Sequence, residues 1–234
     1  MLVTHSTAAK VVSEFIGTAA FCAAGIGAVL GVGQSAGPPG LFIVAIAHGL
    51  AIAVFVTAAG HVSGGLLNPA ATLALVVTRR IAPVLAAVLV VAQLAGAVAG
   101  TALVRYGFHG AVNVGTGGTP HLARGVSIGQ GIVLEAAMTF FLMWVVFATA
   151  IDRDGSWFRL AGVPIGLVVT MDILMGGTLT GAAMNPAREF GPALLSGSWQ
   201  DWWIYWVGPA LGALLAAALY TAVLRPRYHD VAAR

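Results

Sequence analysis

Two short segments of this 234-residue chain hold the residues best placed to do chemistry, and they hold nearly the same ones. Asn68-Pro69-Ala70 and Asn185-Pro186-Ala187 stand 117 residues apart, each with a glycine four positions earlier, Gly64 and Gly181. Proline suits the first position of a helix, and asparagine is among the best caps for the orphan amides there. Each box therefore reads as a helix start. The stretches that follow, 69–78 and 186–195, are about 15 Å long, half a hydrocarbon core. Each helix start carries roughly +0.5 charge, so two of them meeting at depth repel cations, hydronium included. Asn68 and Asn185 can each offer an amide donor to a small neutral molecule, and the backbone carbonyls of 63–67 and 180–184 can offer acceptors. Arg188 follows the second box, and an arginine at membrane depth is costly enough to mark a functional path. Glu14 and Glu135, 121 residues apart, read as structural buried carboxyls that hold the carbonyls of these pre-Asn loops. No nucleophile-base pair and no metal-ligand cluster has usable spacing, and Cys22 is a lone thiol, so no enzyme, metal or cofactor is expected.

The elements that must position these residues are membrane spans. Charged residues make up 8% and hydrophobic ones 59%, with mean hydropathy +0.94, where a soluble domain carries about 25% charge. That balance excludes soluble, disordered and nucleic-acid-binding classes. Six stretches reach the roughly 20 apolar residues a span needs: 11–30, 41–59, 82–104, 129–150, 160–177 and 203–224. The flanks repeat as well as the boxes, with Gln93-Leu94-Ala95-Gly96 facing Pro209-Ala210-Leu211-Gly212. The chain is thus expected to be a single transmembrane domain over 1–234, built from repeats at 10–104 and 129–224 with an outer loop at 105–128. Three spans per half is an odd number, so the second half enters the membrane in the opposite sense. Half-helices in inverted repeats meet near the midplane, and irregular backbone at that depth is tolerated where it lines a path. The small-residue pairs Gly96/Gly100, Gly162/Gly166 and Gly208/Gly212 read as close helix contacts. With both termini cytoplasmic, Lys10, Arg79, Arg80, Arg153, Arg159, Arg225, Arg227 and Arg234 fall inside and Arg105 and Arg124 outside, which fixes the expected orientation in a plasma (inner) membrane.

Two Asn-Pro-Ala boxes in inverted repeats of three spans, with Glu14, Gln93, Glu135 and Arg188 at matching places, resemble the aquaporin, or major intrinsic protein, family over essentially the whole chain. The resemblance implies an all-α membrane protein of six transmembrane helices plus two half-helices, assembled as a homotetramer with one pore per subunit. It implies a passive channel for water, with ammonia or another small neutral solute as an accompanying permeant. A glycerol or urea facilitator of the same family is the alternative. An ion-coupled carrier also uses broken helices, but the midplane candidates here are amides and two positive helix ends.

Family channels have an outer constriction of four residues, and counting back from the boxes assigns it to His48, Ile173, Ala182 and Arg188. His with Ile resembles the plant tonoplast intrinsic proteins, a branch associated with water plus ammonia or urea. Ala193 and Tyr205-Trp206 match the water-channel pattern, while Glu189 stands where water channels usually have Ser and glycerol facilitators Asp. His121 lies near an outer-mouth histidine of the tonoplast branch, and His61 matches a cytoplasmic-vestibule histidine. Asp172, beside Ile173, receives no role.

Overall fold

The computed structural model of the protein describes residues 5–32, 37–109, 116–152 and 160–224. Arg153, Arg159, Arg225, Arg227 and Arg234, which carry much of the expected orientation, lie outside the described residues. Eight helices are described in chain order: α1 Thr7–Val32, α2 Gly37–Ala59, α3 Pro69–Val77, α4 Pro83–Phe108, α5 Ile128–Val146, α6 Gly162–Thr180, α7 Pro186–Ser196 and α8 Ile204–Leu219. α5 and α8 each end in a wider π-type turn, Phe147–Ile151 and Tyr220–Leu224. Six of the eight are long and apolar enough to cross a membrane. Their outward faces carry Val84, Val91, Leu103, Val133, Leu167 and Leu215 largely uncovered, an exposure that lipid satisfies and water does not. The protein is an integral, multi-pass membrane protein.

The spans pair in the same way in each half. α1 packs on α4 and α5 on α8, while α2 and α6 meet across the halves. Gly96 and Gly100 of α4 lie under the carbonyls of Phe15 and Ala19 of α1, and Gly208 and Gly212 of α8 lie under those of Ile132 and Ala136 of α5. Between α2 and α6, Gly49 and Gly166 touch each other's backbone, and they stand 117 residues apart like the two boxes. Small residues let backbones approach closely where lipid gives no hydrophobic drive to associate. The two short helices are exchanged between halves: α3 packs on α8, and α7 packs on α4, with Gly191 against the Ala97 carbonyl. Each half thus inserts its half-helix into the other.

A side chain at Gly100 would strike backbone that cannot rotate away. Gly100→Leu should lower stability by about 1–3 kcal/mol or more, the usual range for overpacking, whereas Gly107→Ala on the same helix, with open space around it, should leave it unchanged. Thermal aggregation of detergent-solubilised protein, followed by size-exclusion chromatography, reads the difference.

Candidate functional site

α3 and α7 begin at the two boxes. The Asn68 side-chain oxygen accepts from the Ala70 amide at 2.8 Å, and that of Asn185 accepts from the Ala187 amide at 2.9 Å, so each asparagine caps its own helix. The side-chain nitrogens reach the other way. Asn68 Nδ2 donates to the Met184 carbonyl at 2.9 Å, and Asn185 Nδ2 donates to the Leu67 carbonyl at 2.8 Å. An amide NH2 has two hydrogens, so one remains on each asparagine, and both residues line a cavity. The crossed bonds also engage two of the loop carbonyls expected to face the path. Ser63, Gly64, Gly65, Leu66, Ala182, Ala183 and Met184 supply the loop lining.

Leu67 and Met184 occupy left-handed backbone, φ 49° and 52°, which an ordinary side chain adopts at a cost of about 1–2 kcal/mol. Buried carboxyls hold them there. Glu14 accepts from the amides of Leu66 at 2.9 Å and Leu67 at 2.7 Å, and Glu135 accepts from those of Ala183 at 3.0 Å and Met184 at 2.7 Å. The sequence reading had the carboxyls holding loop carbonyls. The observed partners are the loop amide N–H groups, which donate to carboxyl oxygens that accept. Each carboxyl takes one hydroxyl too, Ser63 at 2.6 Å and Thr180 at 2.7 Å. Ser63 and Thr180 are 117 residues apart, so the repeat offset contained this signal, although the sequence reading did not use it. Gln93 adds a fourth donor to Glu14 at 2.7 Å and also bonds Thr72 at 3.0 Å. Its counterpart Pro209 has no amide, and in that half Tyr205 bonds the Thr180 carbonyl at 2.8 Å.

The cavity of about 750 Å³ runs from Lys10, His61 and Arg80, past both asparagines, to Phe21, His48, Ile173 and Ala182. His48, Ile173 and Ala182 thus come together from three separate segments. His48 Nδ1 bonds the Val44 carbonyl at 2.9 Å, while buried Nε2 has no protein partner. A carbonyl only accepts, so Nδ1 carries the hydrogen and Nε2 of the neutral ring presents a lone pair. Phe21 packs edge-on to this imidazole, and a Cβ at Gly25 would fall on it. Arg188 is buried outside the cavity lining and donates from Nη1 to the Gly118 carbonyl, in the connection between α4 and α5, at 2.9 Å, leaving Nε without a partner. Nothing in the sequence signalled Gly118.

His121 is exposed in that loop, with Nδ1 3.3 Å from the Thr119 carbonyl, and does not line the cavity. Glu189, 117 residues after Thr72, turns toward α8, where it accepts from Trp206 Nε1 at 3.3 Å, and does not line the cavity. Asp172 is fully buried outside the cavity lining, with neither oxygen hydrogen-bonded among the described residues. The structure gives no account of it.

This arrangement of six spans and two opposed half-helices is a membrane channel fold. The family model for major intrinsic protein matches residues 1–220, and the chain belongs to that family. Among its relatives, the probable aquaporin TIP3-2 of Arabidopsis thaliana is 42% identical over 229 residues, covering 93% of this chain and 84% of that protein. Aquaporin TIP4-1 of Arabidopsis thaliana is 43% identical over 235 residues, covering 96% and 92%. The X-ray structure of the aquaglyceroporin from Plasmodium falciparum shares the fold with TM-score 0.84 at 23% identity, over 94% of this chain and 98% of that one.

Glu14→Ala should deprive four donors of their acceptor, the two fully buried ones, Leu67 N–H and Gln93 Nε2, at about 1–3 kcal/mol each, and should destabilise the protein severely. Glu14→Gln keeps one acceptor oxygen and should fall between Ala and the native residue in the same thermal measurement.

Proposed function

We propose that this protein is a passive channel for water, with ammonia or another small neutral solute as an accompanying permeant, that excludes protons and ions. The observation that carries the reading is the meeting of two capped helix N-termini at a cavity, each asparagine keeping one amide hydrogen for a permeant. Asn68, Pro69, Ala70, Asn185, Pro186 and Ala187 form the pore centre. There the two helix ends oppose any cation, and a hydrogen-bonded permeant takes up the spare amide hydrogens. Most of the remaining wall is apolar, including Ile52, Val56, Leu142 and Ile165, and offers an ion no substitute for its water shell.

His48, Ile173, Ala182 and Arg188 form the selectivity filter. The Nε2 lone pair of His48 receives an O–H or N–H from the permeant, the Arg188 guanidinium donates and repels cations, and Ile173 excludes bulk. His61 stands at the cytoplasmic vestibule and His121 at the outer mouth. The relatives named as aquaporins of the TIP series support this branch of the family. The subunits assemble as a homotetramer with one pore each, in a plasma (inner) membrane with both termini cytoplasmic, an orientation supported by Lys10, Arg79 and Arg80 against Arg105 and Arg124.

Stopped-flow light scattering of proteoliposomes after an osmotic step tests the reading. Shrinkage should be much faster than in protein-free vesicles, and no rapid re-swelling should follow in glycerol. Unaccelerated shrinkage by folded protein would reject a water channel. In the same vesicles, Arg188→Val should admit larger solutes or cations, and unaltered solute selectivity would remove Arg188 from the filter. His48→Phe should reduce ammonia flux more than water flux, and equal losses would argue against a selective imidazole.

A further inference from the structure

Two histidines pair at the Lys10 and Arg80 end of the cavity. His5, two residues ahead of α1, and His61, in the turn that follows α2, hold their imidazole rings 5.7 Å apart between centroids, at an interplanar angle of 75°. His61 lines the cavity mouth, and Ser63, two residues further on, is bonded to Glu14. The histidine hydrogen bonds among the described residues belong to His48 and His121, so the ring nitrogens of His5 and His61 have no protein partner there. Two neighbouring imidazoles thus stand at one end of the cavity with no protein hydrogen bond among the described residues.

We infer that His5 and His61 form a two-imidazole site for a borderline divalent metal ion of the Zn2+, Ni2+ or Cu2+ class, and that its occupation restricts flux through this mouth. An imidazole nitrogen sits about 2.0–2.1 Å from such an ion and the ring centroid about 1.1 Å further back, so two rings on one ion stand roughly 5–6 Å apart. The observed separation lies inside that range. Imidazole suits these ions, whereas Mg2+ and Ca2+ prefer oxygen ligands. No group of three or more His, Cys, Asp or Glu that could hold a metal occurs among the described residues, so water fills the other positions and binding is reversible. Lys10 and Arg80 line the same mouth, and their charge keeps the affinity below that of a closed four-ligand zinc site. An ion held there ties the segment ahead of α1 to the turn between α2 and α3, and adds two fixed charges with their water shell at the entrance. The binding site stands on geometry alone, while the effect on flux rests on the channel reading.

Two measurements separate those parts. Tag-free protein in detergent, titrated with Cu2+ and followed by electron paramagnetic resonance, should show two nitrogen ligands. His5→Ala and His61→Ala should each weaken binding by at least about tenfold, since even the loss of a supporting second-layer group costs that much. Copper binding that is unchanged in both variants overturns the site, whatever the flux. In proteoliposomes with Zn2+ on both sides, osmotic shrinkage should slow and recover with EDTA. His5→Ala should shrink at the native rate without zinc and resist its addition. Zinc inhibition that persists in His5→Ala, or native shrinkage that zinc does not slow, overturns the restriction. Vesicles that never shrink faster than empty ones reject the channel reading instead, and the copper titration still decides the site.

Discussion

The centre of this fold depends on two side-chain amides that reach across it in opposite directions, Asn68 to the Met184 carbonyl and Asn185 to the Leu67 carbonyl. Those carbonyls can be reached only because Leu67 and Met184 adopt left-handed backbone, a conformation that is unfavourable on its own. The compensation comes from behind. Glu14 and Glu135 accept the amides of the same two residues, so both polar groups of each strained residue are satisfied within the protein. Glu14 and Glu135 are fully buried behind the loops, where no water replaces a lost partner and an unsatisfied polar group costs several kcal/mol. The strain, the caps and the carboxyls therefore stand or fall together. Packing reinforces the same junction, because α3 inserts against α8 and α7 against α4.

This interlock explains why the pore wall is polar along one strip. The loops ahead of the asparagines spend four amides on the glutamates and two carbonyls on the asparagines, which keep one amide hydrogen each beside the cavity. Donors and acceptors are thus held in fixed positions without a charged group at the centre. Fixed dipoles of this kind stabilise a neutral hydrogen-bonding permeant, and the helix ends act against cations. In the proposed channel, selectivity needs no moving part.

The two halves have nevertheless diverged where the two mouths need different chemistry. Thr72, one turn into α3, bonds Gln93 of α4, whereas Glu189 at the equivalent place in α7 bonds Trp206 of α8. Arg188 has no counterpart in the first half, where Ala71 stands, and its guanidinium is anchored by Gly118 of the loop between α4 and α5. The same loop is fastened elsewhere, by Ala123 to the Leu179 carbonyl and by Thr119 to Ser196. A perfectly symmetric duplication would have two identical mouths. Here the arginine and its loop sit at one mouth, and the His5 and His61 pair sits at the other.

Much of this was legible in the sequence. Span number follows from composition and run length, because lipid demands about 20 apolar residues and forbids charges that lack partners. The helix starts follow from Asn-Pro, whose capping chemistry is local. The opposed entry of the halves follows from an odd number of spans and a repeat offset of 117 residues. Local chemistry and periodicity survive without coordinates. What only the tertiary structure decided are the pairings between distant segments: which carbonyl each asparagine reaches, the direction of the glutamate bonds, the turning of Glu189 toward Trp206, and the anchoring of Arg188 by Gly118. Glu189 could be weighed in sequence only by its place beside Arg188, yet its direction is set by the helical turn that aims it at α8. Gly118 carries no side chain to signal its part, since the group it supplies is a carbonyl that every residue has. Such contacts depend on how helices far apart in the chain are packed, and a sequence pattern records the faces that pack without recording the atoms that meet.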